Sequence, residues 1–255
     1  MTNIVNTADS GHVRTITLNR PEKKNALSDE LAWGVVTAID DAARDDNVWV
    51  VAITGSGDSF CAGLDLSGAE RFSPWSPQTA QLDDIHWVGH FLLAIRKRCD
   101  KPVVGGINGV AVGAGLGLAM ATDVRLVSRS AKLMAGYTRI GGSPDGGLTI
   151  TLPQTMGYEN AIRFMMENRT VQGDEAVRLG MAGEVVADHI ASPEARHGQI
   201  ARNDGPRTAV ALRTGQHPHR LRQRGCKGSS KGLLREAQAG VPGEVSKPDS
   251  GGICY

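Results

Sequence analysis

The segment Asn108–Gly117, Asn-Gly-Val-Ala-Val-Gly-Ala-Gly-Leu-Gly, constrains this chain more than any other. It follows the apolar run Val103-Val104-Gly105-Gly106-Ile107 and precedes Leu118-Ala119-Met120-Ala121, so it reads as a strand entering a glycine-rich turn that opens a helix. The first turn of a helix has N–H donors without partners and carries the positive end of the helix dipole. Such a turn is built to hold an anion. A G-x-x-x-x-G-K-[ST] phosphate loop would need a lysine and a hydroxyl, where this run has Leu118 and Ala119. A dinucleotide fingerprint would need G-x-G-x-x-G, whereas Gly113, Gly115 and Gly117 are spaced two and two. The remaining ligand is an oxyanion developing on a substrate carbonyl, which backbone N–H groups stabilise strongly in a dry site. The alternative is that the glycines serve only close helix packing.

Composition narrows the class. The 255 residues are 40% hydrophobic and 22% charged, as in soluble globular proteins, and 28 basic against 27 acidic side chains give no global attraction to nucleic acid or membrane. Cys61, Cys99, Cys226 and Cys254 form no C-x-x-C pair, which speaks against a zinc site and a disulfide scaffold. No metal site is expected. The N-terminus has no basic region followed by an apolar core, and no apolar run reaches about 18 residues. The expected location is cytoplasmic.

Along the chain, Val13–Leu18 is a strand ended by Asn19-Arg20-Pro21. Ser28 caps a helix whose apolar face is Leu31, Val35, Ile39 and Ala42. Val48–Thr54 is nearly all apolar and suits a strand buried on both faces. Phe60-Cys61-Ala62-Gly63-Leu64-Asp65-Leu66 is then a second glycine-containing turn after a strand. Two neighbouring parallel strands would thus each end in a turn with exposed N–H groups, at the sheet edge where α/β proteins bind ligands. Between these turns, Gly68–Gln81 reads as a loop over the site. A helix beginning at Asp83 or Asp84 presents Ile85, Val88, Phe91 or Leu92, and Ile95, with His90 off that stripe as a solvent-facing side chain. Val124–Ser128 and Ala131–Met134 read as strands. Helices follow over about Leu148–Met156 and Glu159–Glu167, a third begins near Gly173, and a late strand lies within Met181–Val186.

The expected division is a core over residues 1–195 and an atypical basic tail over 196–255. From Arg196 to Arg235 there are ten Arg or Lys and one acid, Asp204, without a sustained helical or strand period. A disordered tail, a polyanion-binding arm and a C-terminus of unrelated origin compete as explanations. The lack of Phe, Trp or Tyr between Arg196 and Cys254 weakens base stacking, and nucleic acid is not the expected partner.

The set Asn25-Ala26-Leu27-Ser28, Phe60–Leu66, Pro102–Gly115, Ala121-Thr122-Asp123 and Ser143-Pro144-Asp145-Gly146-Gly147 resembles the crotonase (enoyl-CoA hydratase/isomerase) superfamily, over about Val13–Val186. The resemblance implies an α/β fold, a spiral of repeated strand-strand-helix units in nearly perpendicular sheets with short C-terminal helices. It also implies assembly as homotrimers or hexamers and an acyl-CoA thioester as ligand, with no cofactor beyond the coenzyme A of that substrate. By the same resemblance the thioester oxygen is held by the backbone N–H groups of Leu64 and Ala114. The CoA moiety lies against Lys24 to Ala26 and the turn containing Ala62, Asp65 and Leu66, and Tyr137 lines the substrate pocket. Preorganised donors of this kind lower the barrier to an enolate by about 2.7–4 kcal/mol each.

The chemistry then depends on side chains. Family hydratases orient water with two glutamates, and the matching positions here are Gly117 and Tyr137. Asp145 stands where several family isomerases carry their catalytic acid. One carboxylate can take a proton from one carbon and return it to another while the enolate is held, so the expected activity is an enoyl-CoA double-bond isomerase with Asp145 as shuttle. The bland reading of Asp145 is a Pro-Asp-Gly turn residue. The chain is also similar to the 4-chlorobenzoyl-CoA dehalogenase branch, where Asp145 would be the nucleophile and His90 the base. The segment Gly117–Asp123 and Asn168-Arg169-Thr170 agree with that branch, although Tyr137 replaces its tryptophan. A third possibility is an enzymatically inactive or RNA-binding member of the family.

Overall fold

The computed structural model describes residues 3–67 and 86–188, all within the first of two compact units, 1–215. The expected loop over Gly68–Gln81, the helix start at Asp83 or Asp84 and Ile85, and the basic tail from 196 to 255 lie outside the described residues. Among those described, no helix is long and apolar enough to cross a membrane.

The chain alternates between two sheets. The strands are β1 (Val5–Ser10), β2 (Val13–Leu18), β3 (Val50–Gly55), β4 (Ser59–Cys61), β5 (Val103–Ile107), β6 (Val110–Val112), β7 (Val124–Ser128), β8 (Lys132–Met134), β9 (Val171–Gln172) and β10 (Glu184–Val186). The larger sheet has the order β1-β2-β3-β5-β7-β10, and the smaller has the order β4-β6-β8-β9. The β1–β2 hairpin and the β8–β9 pair are antiparallel, and the other neighbours are parallel. Each of β3, β5 and β7 in the large sheet is followed within a few residues by β4, β6 or β8 in the small one. This is the expected strand-strand-helix repeat of an α/β fold.

The helices are α1 (Asp29–Arg44), α2 (His86–Leu93, continued by a π-helical turn to Arg98), α3 (Ala114–Ala121), α4 (Leu148–Met156), α5 (Tyr158–Glu167) and α6 (Gly173–Arg178). Ser28 caps α1 by accepting from the Leu31 amide at 3.3 Å, and Leu31, Val35, Ile39 and Ala42 are fully buried, as their periodicity predicts. Every residue of α3 is buried. A helix apolar all round belongs to the core, and this one carries its N-terminus to the site.

The expectation for the two glycine turns needs correction. The opening segment is not a single turn between β5 and a helix, because Asn108-Gly109 is the turn and Val110–Val112 is a strand of the second sheet. Phe60 and Cys61 likewise belong to β4. The two glycine turns therefore follow β4 and β6, which pair in parallel through Ser59↔Val110 and Cys61↔Ala111, rather than β3 and β5. Three-residue strands flanked by glycine carry no readable period, so they pass for turns.

Candidate active site

Each of the two turns leaves at least one amide without an acceptor among the described residues. At the end of β6, Gly113 has φ 55° and ψ −125°, a conformation that only glycine adopts readily, and Ala114 starts α3. The Gly113 amide donates to the Met134 carbonyl at 3.2 Å and the Gly117 amide to the Gly113 carbonyl at 3.0 Å. No acceptor among the described residues takes the Ala114 amide. In the other turn Leu27 and Leu64 form a parallel bridge. The Leu27 amide donates to the Gly63 carbonyl at 2.7 Å and the Asp65 amide to the Leu27 carbonyl at 3.0 Å, so the Leu64 amide points to the opposite side and has no acceptor among the described residues. The turns touch: a Cβ on Gly63 would lie 2.7 Å from the Val112 carbonyl oxygen and 3.8 Å from the Ala114 nitrogen. Two unclaimed donors on abutting turns are a fit receptor for one oxyanion.

The segment from Arg20 to Ala26 is tied to the first turn. Lys24 (φ 51°) and Asn25 (φ 55°) are both left-handed, an unusual pair outside glycine. Asn25 explains it: its buried side chain accepts from the Arg20 amide at 2.9 Å and donates to the carbonyls of Ser56 at 2.9 Å and Ser59 at 2.8 Å. The Lys24 carbonyl receives the Ala62 amide at 3.0 Å. The Arg20 guanidinium donates to the Ala26 carbonyl at 2.7 Å and to the Asp65 carboxylate at 3.0 Å. Ser67 and then Arg20 hold the Asp65 carboxyl down at about 2. Lys24, Ala62, Asp65 and Leu66 are thereby brought to one rim, with Lys24 and Leu66 exposed and Ala26 buried beneath. The sequence pointed to these residues, with Asn25 inside the Lys24 to Ala26 loop, and missed that Arg20 ties that loop to Asp65. The one visible signal was polar side chains crowded around a proline-led turn.

Asp145 and Tyr137 meet directly. Tyr137 begins a 3-10 turn, Tyr137–Ile140, and is buried, while its hydroxyl donates to Oδ1 of Asp145. Its ring reaches the Gly113–Ala114 turn, since a Cβ on Gly113 would lie 4.0 Å from Tyr137 Cζ. Asp145 is exposed as a residue, yet partial loss of water raises its carboxyl above the ordinary range, with the Tyr137 hydroxyl pulling the other way. The Tyr137 hydroxyl is raised as well, by burial and then by the adjacent carboxylate. Position 117 is tight against the Asp145 turn: a Cβ there would stand 3.2 Å from the Gly146 carbonyl oxygen and 3.3 Å from its Cα.

His90 is not brought to this group. Gly146 and Gly147 pack on Val88 and Leu92 of α2, with contacts of 3.5 and 2.8 Å to the positions their Cβ atoms would occupy. His90 lies about 200° around the helix from both. Its ring tilts against Trp33 of α1, 4.9 Å between centroids. A groove of about 330 Å³ lined by Val5, Arg14, Gly34 and Asp41 among others contains none of the residues above.

With that geometry in place, comparison with known proteins is specific. Residues 8–227 match the profile of the enoyl-CoA hydratase/isomerase family. The chain is 36% identical over 181 residues to a probable enoyl-CoA hydratase of Mycobacterium tuberculosis, covering 70% of this chain and 68% of that protein. It is 32% identical over 191 residues to 1,2-epoxyphenylacetyl-CoA isomerase of Escherichia coli, covering 75% and 72%. It is also 32% identical over 195 residues to 4-chlorobenzoyl coenzyme A dehalogenase-1 of Arthrobacter, covering 74% and 68%. A solved structure, a probable enoyl-CoA hydratase/isomerase from Mycobacterium abscessus, superposes with a TM-score of 0.70 at 30% identity, over 83% of this chain and 81% of that one. The chain belongs to the enoyl-CoA hydratase/isomerase, or crotonase, family.

Proposed function

We propose that this chain is an enoyl-CoA double-bond isomerase. It binds an acyl-CoA thioester whose carbonyl oxygen receives the Leu64 and Ala114 amides, while Asp145 takes a proton from the carbon next to the carbonyl and returns it two carbons away. The observation that carries this reading is the Asp145 carboxylate held on Tyr137 beside the Gly113–Ala114 turn, with Gly117 packed against Gly146. A hydratase needs two carboxylates to orient water, and the positions that would carry them are Gly117, packed against Gly146, and Tyr137. The raised pKa of Asp145 also favours a group that both accepts and returns a proton. Lys24, Ala26, Ala62, Asp65 and Leu66 receive the CoA portion, and no cofactor beyond that portion is required. Exposed Ile140, Ile150, Tyr158 and Met166 supply apolar surface for assembly as a trimer or hexamer. The test is incubation of wild type and Asp145→Asn with a panel of 2- and 3-enoyl-CoA esters, with products identified by chromatography. Migration without hydration in the wild type, lost in the variant, supports the reading, whereas hydration by the wild type or full activity of Asp145→Asn ends it.

The likeness to a 4-chlorobenzoyl coenzyme A dehalogenase favours a second reading, with Asp145 as nucleophile and His90 as base. It ranks below the first because His90 faces Trp33 rather than the Asp145 turn. An aryl adduct on Asp145 after mixing with 4-chlorobenzoyl-CoA, seen by mass spectrometry together with chloride release, would reverse that order.

A further inference from the structure

We propose that Tyr137 is a positioning residue for Asp145: its hydroxyl anchors Oδ1, leaving Oδ2 as the oxygen that takes and returns the substrate proton. The inference rests on the reading of Asp145 as proton shuttle. It is needed because the turn is packed but its Asp145 side chain is exposed, with no other side-chain hydrogen bond among the described residues. An unanchored carboxylate there samples several rotamers and meets the substrate carbon only part of the time.

Tyr137 is well placed to end that freedom. Tyr137 is 6% exposed, and the preceding Gly136 amide donates to the Asn168 side chain at 2.8 Å. A Cβ on Gly136 would lie 2.8 Å from Val112 Cγ1, so this turn is packed directly on β6, the strand that ends in the oxyanion turn. The hydroxyl therefore relates Asp145 to the Ala114 amide through a short rigid path. Asp145 Oδ2 removes a proton from C2 of a 3-enoyl thioester, and the C–H electron pair moves to form a dienolate on the thioester oxygen. The same oxygen then delivers that proton to C4, and the electrons return to give the 2-enoyl product. The Tyr137 O–H bond is never broken, and no external acid or oxidant is consumed.

Tyr137 is the one titratable neighbour among the described residues that moves the Asp145 carboxyl, and it moves it down against desolvation. Replacing Tyr137 by Phe leaves desolvation opposed only by a backbone hydrogen bond, so the acid limb of kcat/KM shifts to higher pH. Loss of orientation lowers kcat by about a hundredfold while KM for the CoA ester changes little. A Tyr137→Phe protein with unchanged melting temperature, kcat and acid limb would overturn the inference. The protein has three tyrosines, so the Tyr158→Phe, Tyr255→Phe background carrying 3-fluorotyrosine at 137 is a second test that keeps the ring and hydroxyl. The stronger donor should move the acid limb to lower pH, and no movement overturns the proposal even where Tyr137→Phe fails to fold. If Asp145→Asn is itself fully active, the shuttle reading has failed; if Asp145→Asn is dead but both Tyr137 variants behave as wild type, only the positioning role has failed.

Discussion

Gly117 of α3 and Gly146 of the Asp145 turn stand against each other, a Cβ on the first falling 3.2 Å from the carbonyl oxygen of the second. Gly117→Glu, which would install a hydratase-type acid, has to push that turn outward and disturb Asp145. Overpacking of this kind costs about 1–3 kcal/mol, only partly offset by about 1 kcal/mol of helix propensity regained on leaving glycine. The expected result is a lower melting temperature, slower isomerisation and no gain of hydration, read by calorimetry and product analysis.

Gly113→Ala puts a side chain on a residue at φ 55° and ψ −125°. A non-glycine residue held there is strained by about 1–3 kcal/mol, and relief of the strain rotates the Ala114 amide away from the thioester oxygen. Stability should fall in urea titration, and kcat should drop by about 10²–10³-fold, the loss typical of one oxyanion donor.

Arg20→Met cuts the link between the Ala26 carbonyl and the Asp65 carboxylate. KM for CoA esters should rise by about tenfold with kcat nearly unchanged, as charged hydrogen bonds of about 1.5–3 kcal/mol are lost from a binding rim rather than from the reacting atoms. A pH signature accompanies it. Asp65 is held at about 2, below its ordinary value, so its contribution to stability is present above the ordinary carboxylate range and is lost as pH falls through about 2. Weakening that hold moves the Asp65 part of acid unfolding to higher pH, measurable by circular dichroism.

Asp145 has the opposite sign. Its folded-state pKa is raised, so the folded protein binds this proton more tightly than the unfolded chain, and stability falls as pH rises through that raised value. Asp145→Asn keeps an acceptor for Tyr137 and never ionises. The variant should therefore be inactive yet more stable than wild type at neutral pH, with the difference vanishing below the ordinary carboxylate range. Melting temperatures of the two proteins across pH 3 to 8 test this directly.

How much of this was legible depended on local pattern. The buried face of α1 and its Ser28 cap, and the apolar β3 and β5, could be read because periodicity and continuous burial are written in consecutive residues. β1 was missed because its residues are mostly exposed and polar, held by pairing with β2 rather than by burial. β4 and β6 were mistaken for turns for want of length. The residues of the site were named one by one, but the Tyr137–Asp145 bond and the Arg20–Asp65 pair arise where separate turns are folded together, and no sequence spacing encodes such a meeting.

The pairing of β4 with β6 has a consequence for how the family diversifies. The turns that carry Leu64 and Ala114 follow two paired strands, so their relation to each other is set by the backbone of a sheet, whose neighbouring strands lie about 4.8 Å apart, and by the turns themselves. In the proposed site the two donors thus belong to the backbone, while the groups at 137 and 145 are side chains that can be exchanged. One receptor for negative charge can pass unchanged between lineages as the groups around it are exchanged, and a new reaction needs only new side chains at its edge.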